Sequence, residues 1–212
     1  MADSSELKMI RRTVPVILEE GYIKNTTSWI DKIKAFFGYG RDDDRLFIKG
    51  NDEPLLTFPK GTITNMEDGT DYSKFEIKDA NNAEKAFQKI ISNSDVEWAN
   101  IKHNMNGNIS NTIVNNHNDH NVDISARIAN KYKSSGEKIE LFEHSHPVPK
   151  DLKEGTNLPF ILNVSGQNGM PGDIQTAKGY PGTIFRVFDL HQNRIQYYNG
   201  NGIYKTTPWG KK

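Results

Sequence analysis

The sequence contains no cysteine, which excludes a disulfide framework, thiolate metal ligands and a cysteine nucleophile. Any bound metal must therefore be held by nitrogen and oxygen atoms. A protein without disulfides can reside in either redox compartment, so this absence leaves the localisation open.

An excess of either charge is also missing. Lys plus Arg and Asp plus Glu both total 27, so the formal net charge is +0. Broad surfaces for nucleic acids or anionic membranes require clustered basic residues. We therefore expect no nucleic-acid partner.

Long apolar runs are absent as well. None approaches the roughly 18–20 residues that cross a bilayer, so the sequence predicts no membrane span. The first residues lack the basic-then-apolar pattern of a signal peptide. If the protein is exported, we expect the signal to lie outside this sequence.

The chain divides by pattern into two parts. Residues 1–74 are predicted to be an N-terminal extension, with one or two helices in residues 1–45 and short strands after them. Its charge run, Arg41-Asp42-Asp43-Asp44-Arg45, is typical of a solvated turn. Residues 75–212 are predicted to form the main domain, and 212 residues suffice for one sizeable core.

In this main domain, helical and strand patterns alternate. Helices are predicted from Asn81 or Asn82 to about residue 93, and from 122 to 132. Strands are predicted in this domain at 75–77, 96–101, 109–114, 139–146, 183–190, 194–198 and 203–205, and in the extension at 46–48 and 55–58. An Asn106-Gly107 turn indicates a hairpin. The order predicts a mixed α/β (α+β) domain, with helices packed on a mainly antiparallel sheet.

The stretch Glu143-His144-Ser145-His146-Pro147 carries the clearest chemistry. It continues an apolar strand, and Pro147 disfavours helix at the residue before it. Side chains alternate along a strand, so His144 and His146 point the same way. Two imidazoles aimed at one point predict a metal site, although two exposed loop histidines are the alternative.

Asp173 is the candidate third ligand. Two histidines and one carboxylate would hold zinc with the fourth position open, which is the arrangement of a catalytic zinc site. Asp173 also opens a short predicted helix, so a plain N-cap is the alternative. A second cluster, His117 and His120 with Asp119 or Asp123, is more typical of turns and caps than of a metal site.

These features together resemble the JAMM motif of the JAB/MPN metallopeptidase fold, over roughly residues 80–205. The matching residues are Glu97 after a helix, His144-Ser145-His146-Pro147, and Asp173 at the start of a helix. More narrowly, the Val96–Trp98 segment and the Tyr-rich C-terminal hairpins look like the JAB-like toxin domains at the C-termini of bacterial polymorphic (Rhs-type) toxins.

The resemblance implies a zinc metallopeptidase. His144, His146 and Asp173 would be the zinc ligands, and Glu97 would activate the zinc-bound water that hydrolyses a peptide or isopeptide bond. It also implies a protein or peptide substrate, an immunity protein as partner, and secretion or delivery into a target cell as part of a larger toxin. Other carboxylates near the motif are Glu140, Glu143 and Asp151, and Glu143 is expected on the opposite strand face.

The sequence departs from the motif H-x-H-x7-S-x-x-D. The loop before Asp173 is longer, and Met170 stands where the motif has serine, with Ser165 as a substitute from the loop. Two alternatives follow: a non-catalytic MPN-type protein-binding module, and a metal-dependent hydrolase of a non-peptide substrate. The neutral charge argues against a nuclease.

Overall fold

We describe the protein from a computed structural model. The residues described are 16–17, 23–24, 43–48, 54–68, 71–94, 96–117, 122–147 and 172–210.

Twelve strands and three helices lie within the described residues. The strands are β1 Val16–Ile17, β2 Ile23–Lys24, β3 Asp43–Ile48, β4 Pro54–Pro59, β5 Ile63–Asp68, β6 Ser73–Ile77, β7 Ala99–Met105, β8 Asn108–Asn115, β9 Lys138–His146, β10 Ile184–Asp189, β11 Arg194–Asn199 and β12 Gly202–Pro208. The helices are α1 Ala80–Ile91, α2 Asp123–Ser134 and α3 Asp173–Lys178.

The strands of this part of the chain form two sheets. The smaller has the order β2-β1-β3-β4, and the larger has eight strands in the order β12-β11-β10-β9-β7-β8-β6-β5. Within the larger sheet, the β9–β10 pair is parallel and the other pairs are antiparallel. The predicted mixed fold with a mainly antiparallel sheet is confirmed.

Both faces of the larger sheet are covered by apolar packing. Neighbouring residues of one strand point to opposite faces, so Ile113 and Val114 belong to two separate cores. The core that contains Ile113 also contains the apolar side of α1, with Phe87 fully buried. The core that contains Val114 takes apolar residues from α2 and α3. The end of β9 therefore lies inside a packed structure.

The hairpin between β7 and β8 has the predicted turn. Asn106 and Gly107 have φ angles of 54° and 89°, and they join Met105 to its pairing partner Asn108. Positive φ at both central residues is the condition of a type I′ turn. The β7 strand itself begins at Ala99, three residues after the predicted start at Val96.

The predicted cap of α1 was wrong. The side chain of Asp79 accepts a hydrogen bond from the backbone nitrogen of Asn82 at 2.7 Å. Asp79 has extended backbone angles, so the helix begins at Ala80, before either predicted cap residue.

The N-terminal part differs more from expectation. Val16–Ile17 and Ile23–Lys24 are short strands, not helix, because they pair with each other. Val16–Ile17 also pairs with β3. The remainder of the predicted helices lies outside the described residues. The predicted solvated turn was also wrong, since Asp43–Ile48 is a strand in which buried Asp44 accepts a hydrogen bond from the backbone nitrogen of Ile63 at 2.8 Å.

Strand β5 had not been predicted, and it is the edge strand of the larger sheet. Its neighbour β6 spans the predicted boundary between residues 74 and 75 and pairs with β8. The division into an extension and a main domain stays a prediction. Among the described residues, no helix is long and apolar enough to cross a membrane.

Candidate metal centre

The last residues of β9 bring two imidazoles together. His144 and His146 are both buried, with 4% and 5% of their surface exposed. Their Nε2 atoms lie 3.0 Å apart. At this distance either one ring donates a hydrogen bond to the other, or a cation lies between them. The expected same-side orientation follows from strand alternation.

Asp173 reaches the same point from the start of α3. Its Oδ1 atom lies 3.2 Å from the Nε2 atom of His144. Gly172 occupies the N-cap position with a φ of 147°, so Asp173 is the first helical residue and not the predicted N-cap. The ligand atoms of His144, His146 and Asp173 all lie within 4.8 Å of one another.

Glu97 lies on the other side of the histidine pair. Its Oε1 atom is 3.7 Å from the Nε2 atom of His146, and 6% of its surface is exposed. Glu97 precedes β7 and is therefore not a strand residue, but the pairing of β7 with β9 brings it to the end of β9. The structure thus brings together all four residues that the sequence indicated.

The donor set fits zinc. In a tetrahedral site with bonds of about 2.0–2.1 Å, neighbouring ligand atoms lie about 3.3 Å apart. Two of the three separations, 3.0 Å between the histidines and 3.2 Å from His144 to Asp173, are close to this value, and all three lie within 4.8 Å. Two imidazole nitrogens and one carboxylate oxygen leave one tetrahedral position open, as a catalytic site requires.

The electrostatics of this site favour a cation. Burial lowers the pKa of His144, but the nearby Asp173 and Glu97 carboxylates outweigh burial and raise that pKa above its ordinary value. Burial, together with the same two carboxylates, raises the pKa of Tyr198 well above its ordinary value. A divalent cation would offset the negative charge of these two carboxylates.

Sequence reasoning did not single out Tyr198. Its ring is fully enclosed and packs edge-on against His144, with ring centroids 6.4 Å apart. It lies on β11, and the parallel strand β10 separates it from β9. No local pattern signals such a contact, which depends on the order of strands in the sheet.

The competing carboxylates on β9 have other partners. Glu143 points away from the histidines, as expected, and binds Asn100 and Arg186. Glu140 pairs with Lys102 at 2.9 Å and accepts a hydrogen bond from Asn104. Asp151, Ser165 and Met170 lie outside the described residues.

The second predicted cluster is only partly described. His120 and Asp119 lie outside the described residues, and the Nε2 atom of His117 lies 3.5 Å from the Oγ atom of Ser73. Asp123 is the first residue of α2. Within the described part of the chain, His144, His146 and Asp173 are the one group of this kind that could hold a metal ion.

Comparison with known proteins agrees with this geometry. The model of the family JAB-like toxin 1 matches residues 75–178, a span that contains Glu97, both histidines and Asp173. No curated protein and no solved structure matches the chain. The resemblance to JAB-like toxin domains is confirmed. The match supports a JAB-like toxin domain over residues 75–178.

Proposed function

We propose that this domain is a zinc-dependent metallopeptidase in which Glu97 acts as the general acid and base. The observation that carries the proposal is the convergence of four side chains from three separate segments. His144, His146 and Asp173 form a group that fits zinc, and the Glu97 carboxylate lies 3.7 Å from the nearer imidazole nitrogen.

In this proposal, His144, His146 and the Asp173 carboxylate hold the metal. Zinc bound there would supply a Lewis acid, which polarises the scissile carbonyl and makes water acidic enough to act near neutral pH. The burial of both imidazoles limits the access of bulk water to the metal. The edge-on ring of Tyr198 restricts the orientation of His144.

Glu97 moves the proton in this scheme. Its Oε1 atom would accept a proton from the attacking water and pass it to the leaving nitrogen as the peptide or isopeptide bond breaks. This role requires the carboxylate to lie beside the metal ligands without displacing one. Its separation from His146 and its almost complete burial support that position.

The family also supports a biological setting. A domain of a JAB-like toxin family would act on a protein of a target cell, after delivery as part of a larger toxin. A neutralising immunity protein is the corresponding partner. We propose both on the family alone.

The test compares wild type, Glu97→Gln and Glu140→Gln on a peptide library, with and without a metal chelator. Glu140 lies on β9, the strand of the two histidines, but binds Lys102 and Asn104, so its variant is a matched control. We expect wild type and Glu140→Gln to cleave equally and to lose activity with the chelator. Glu97→Gln should keep its zinc and lose about 10²–10⁴ in rate. Chelator-resistant cleavage, or wild-type turnover in Glu97→Gln, would contradict the proposal.

One sequence feature favours a second function. Met170 replaces the motif serine, which would otherwise help to stabilise the reacting oxyanion. A non-catalytic protein-binding module would not need this serine. Such a module would cleave none of the peptides in the library, with or without the chelator.

A further inference from the structure

The contact between β7 and β9 continues before Ala99, the first residue of β7. Ala99 pairs with His144 in antiparallel register. One residue further, hydrogen bonds join Trp98 to Ser145. Glu97 is the next residue, and its Oε1 atom lies 3.7 Å from the Nε2 atom of His146. The bonds between Trp98 and Ser145 therefore lie directly beside Glu97 in the chain.

The bonds at this step are unusual for an antiparallel pair. The backbone nitrogen of Ser145 donates to the carbonyl oxygen of Trp98 at 2.9 Å, as in a regular ladder. The backbone nitrogen of Trp98, however, donates to the side-chain Oγ of Ser145 at 3.1 Å. A hydroxyl group takes the place of the carbonyl that would normally accept this bond. Both residues are fully buried, with 0% exposure.

The hydroxyl of Ser145 acts on Glu97 through the backbone alone. Ser145 lies between the two histidines, so its side chain points to the opposite face of the sheet. Its Oγ atom therefore touches neither the metal ligands nor the space in front of them. The Trp98 ring belongs to the core beneath α1, and its indole nitrogen donates to Ser94 at 2.9 Å. With the backbone nitrogen of Trp98 bound to Ser145, the preceding peptide is fixed as well.

We propose that Ser145 is a positioning residue, whose hydroxyl holds the Trp98 backbone and thereby keeps the Glu97 carboxylate beside His146. The effect of Ser145 on catalysis rests on the proposed function. Its effect on the Trp98 backbone does not. Ser145→Ala removes one hydroxyl group and leaves all three metal ligands in place. The buried nitrogen of Trp98 then lacks its acceptor, so the end of the ladder opens more often.

The experiment compares wild type, Ser145→Ala, Ser145→Thr and Ser125→Ala in the zinc-loaded protein. Ser125 is a matched control, because it is also buried but its hydroxyl donates to Val122 at the start of α2. Three quantities are measured: exchange of the Trp98 backbone amide by NMR, zinc affinity by chelator competition, and kcat and KM on a cleaved peptide.

We expect Ser145→Ala to accelerate Trp98 amide exchange by about 10-fold or more, with zinc affinity unchanged. Its kcat should fall by about 10- to 100-fold at unchanged KM, because a displaced general base costs turnover and not substrate binding. Ser145→Thr keeps the hydroxyl and should restore both exchange and kcat. Ser125→Ala should resemble wild type in all three measurements.

Two results would overturn the inference. One is unchanged Trp98 exchange in Ser145→Ala. The other is a loss of zinc affinity in Ser145→Ala that accounts for its loss of turnover. If wild type itself cleaves no peptide, the failure belongs to the proposed function, and the exchange rates of Ser145→Ala and Ser125→Ala still decide whether Ser145 holds this segment.

Discussion

Replacing Arg186 with Met removes the cation that faces a fully buried carboxylate behind the candidate metal centre. Glu143 has 0% exposure, and it accepts hydrogen bonds from Arg186 Nε and, at 2.7 Å, from Asn100 Nδ2. The pair joins β9 to β10 at the residue before His144, since Arg186 and Glu143 are register partners. Removing one partner of a buried ion pair typically costs about 3–5 kcal/mol, because the other charge remains buried. We expect Arg186→Met to lower the free energy of unfolding by that amount near neutral pH.

The pH dependence has a definite sign. Burial raises the pKa of Glu143 more than Arg186 and Asn100 lower it, so that pKa lies above its ordinary value in the folded protein. The folded state therefore binds this proton more tightly than the unfolded state, and the contribution of Glu143 is lost as the pH rises through the folded pKa. Without Arg186 the pKa rises further. The loss in Arg186→Met should thus be largest at neutral pH and should shrink as the pH falls and Glu143 takes up a proton.

Urea unfolding followed by tryptophan fluorescence measures these free energies. The double variant Glu143→Gln with Arg186→Met should recover much of the loss, because it removes the buried charge and keeps an acceptor for Asn100. Lys102→Met is the control: Lys102 and Glu140 are 27% and 23% exposed at the side chain, and such partly exposed pairs contribute only about 0–1 kcal/mol. The reasoning is refuted if Arg186→Met is no less stable than Lys102→Met, or if the double variant recovers nothing.

Two further predictions concern other buried polar groups. Asp44→Ala should lower the free energy of unfolding by about 1.5–3 kcal/mol in the same urea assay, because it leaves the buried backbone nitrogen of Ile63 without its charged acceptor; stability equal to wild type would contradict this. Burial raises the pKa of Tyr132 from 10.0 in the unfolded chain to about 12 in the folded protein. The contribution of Tyr132 to the free energy of unfolding is therefore complete below pH 10.0 and is lost as the pH rises toward about 12. Wild type should therefore lose more stability across this alkaline range than Tyr132→Phe does, and parallel curves for the two proteins would count against the assignment.

Local sequence patterns were sufficient to predict much of the larger sheet and the two histidines of the site. The orientation of His144 and His146 follows from alternation along one strand, and the Asn106-Gly107 turn follows from its residue types. Glu97 was identified through the family motif, because contacts between distant segments depend on strand order and register. The unusual loop length before Asp173 left its position unpredictable from spacing.

A run of charged residues usually predicts a solvent-exposed segment, and this prediction fails where one of the charged side chains is buried. Asp44 belongs to a run of charged residues that is typical of a solvated turn, yet it is fully buried and binds the backbone of β5. Likewise, the residues around Glu143 in the sequence do not predict Arg186 as its partner, because the two residues are 43 positions apart. The hydrogen bond between Ser145 and Trp98 could not be predicted from local sequence either, because it depends on the register between β7 and β9.

Anomalous X-ray scattering at the zinc edge, on crystals of the zinc-loaded protein, tests the central claim most directly. We expect one zinc per chain, with bonds of about 2.0–2.1 Å to the Nε2 atoms of His144 and His146, a carboxylate oxygen of Asp173 as third protein ligand, and Glu97 nearby but not bonded to the metal. A protein that takes up no zinc, or a zinc held by other residues or by Glu97 in place of Asp173, would contradict the account.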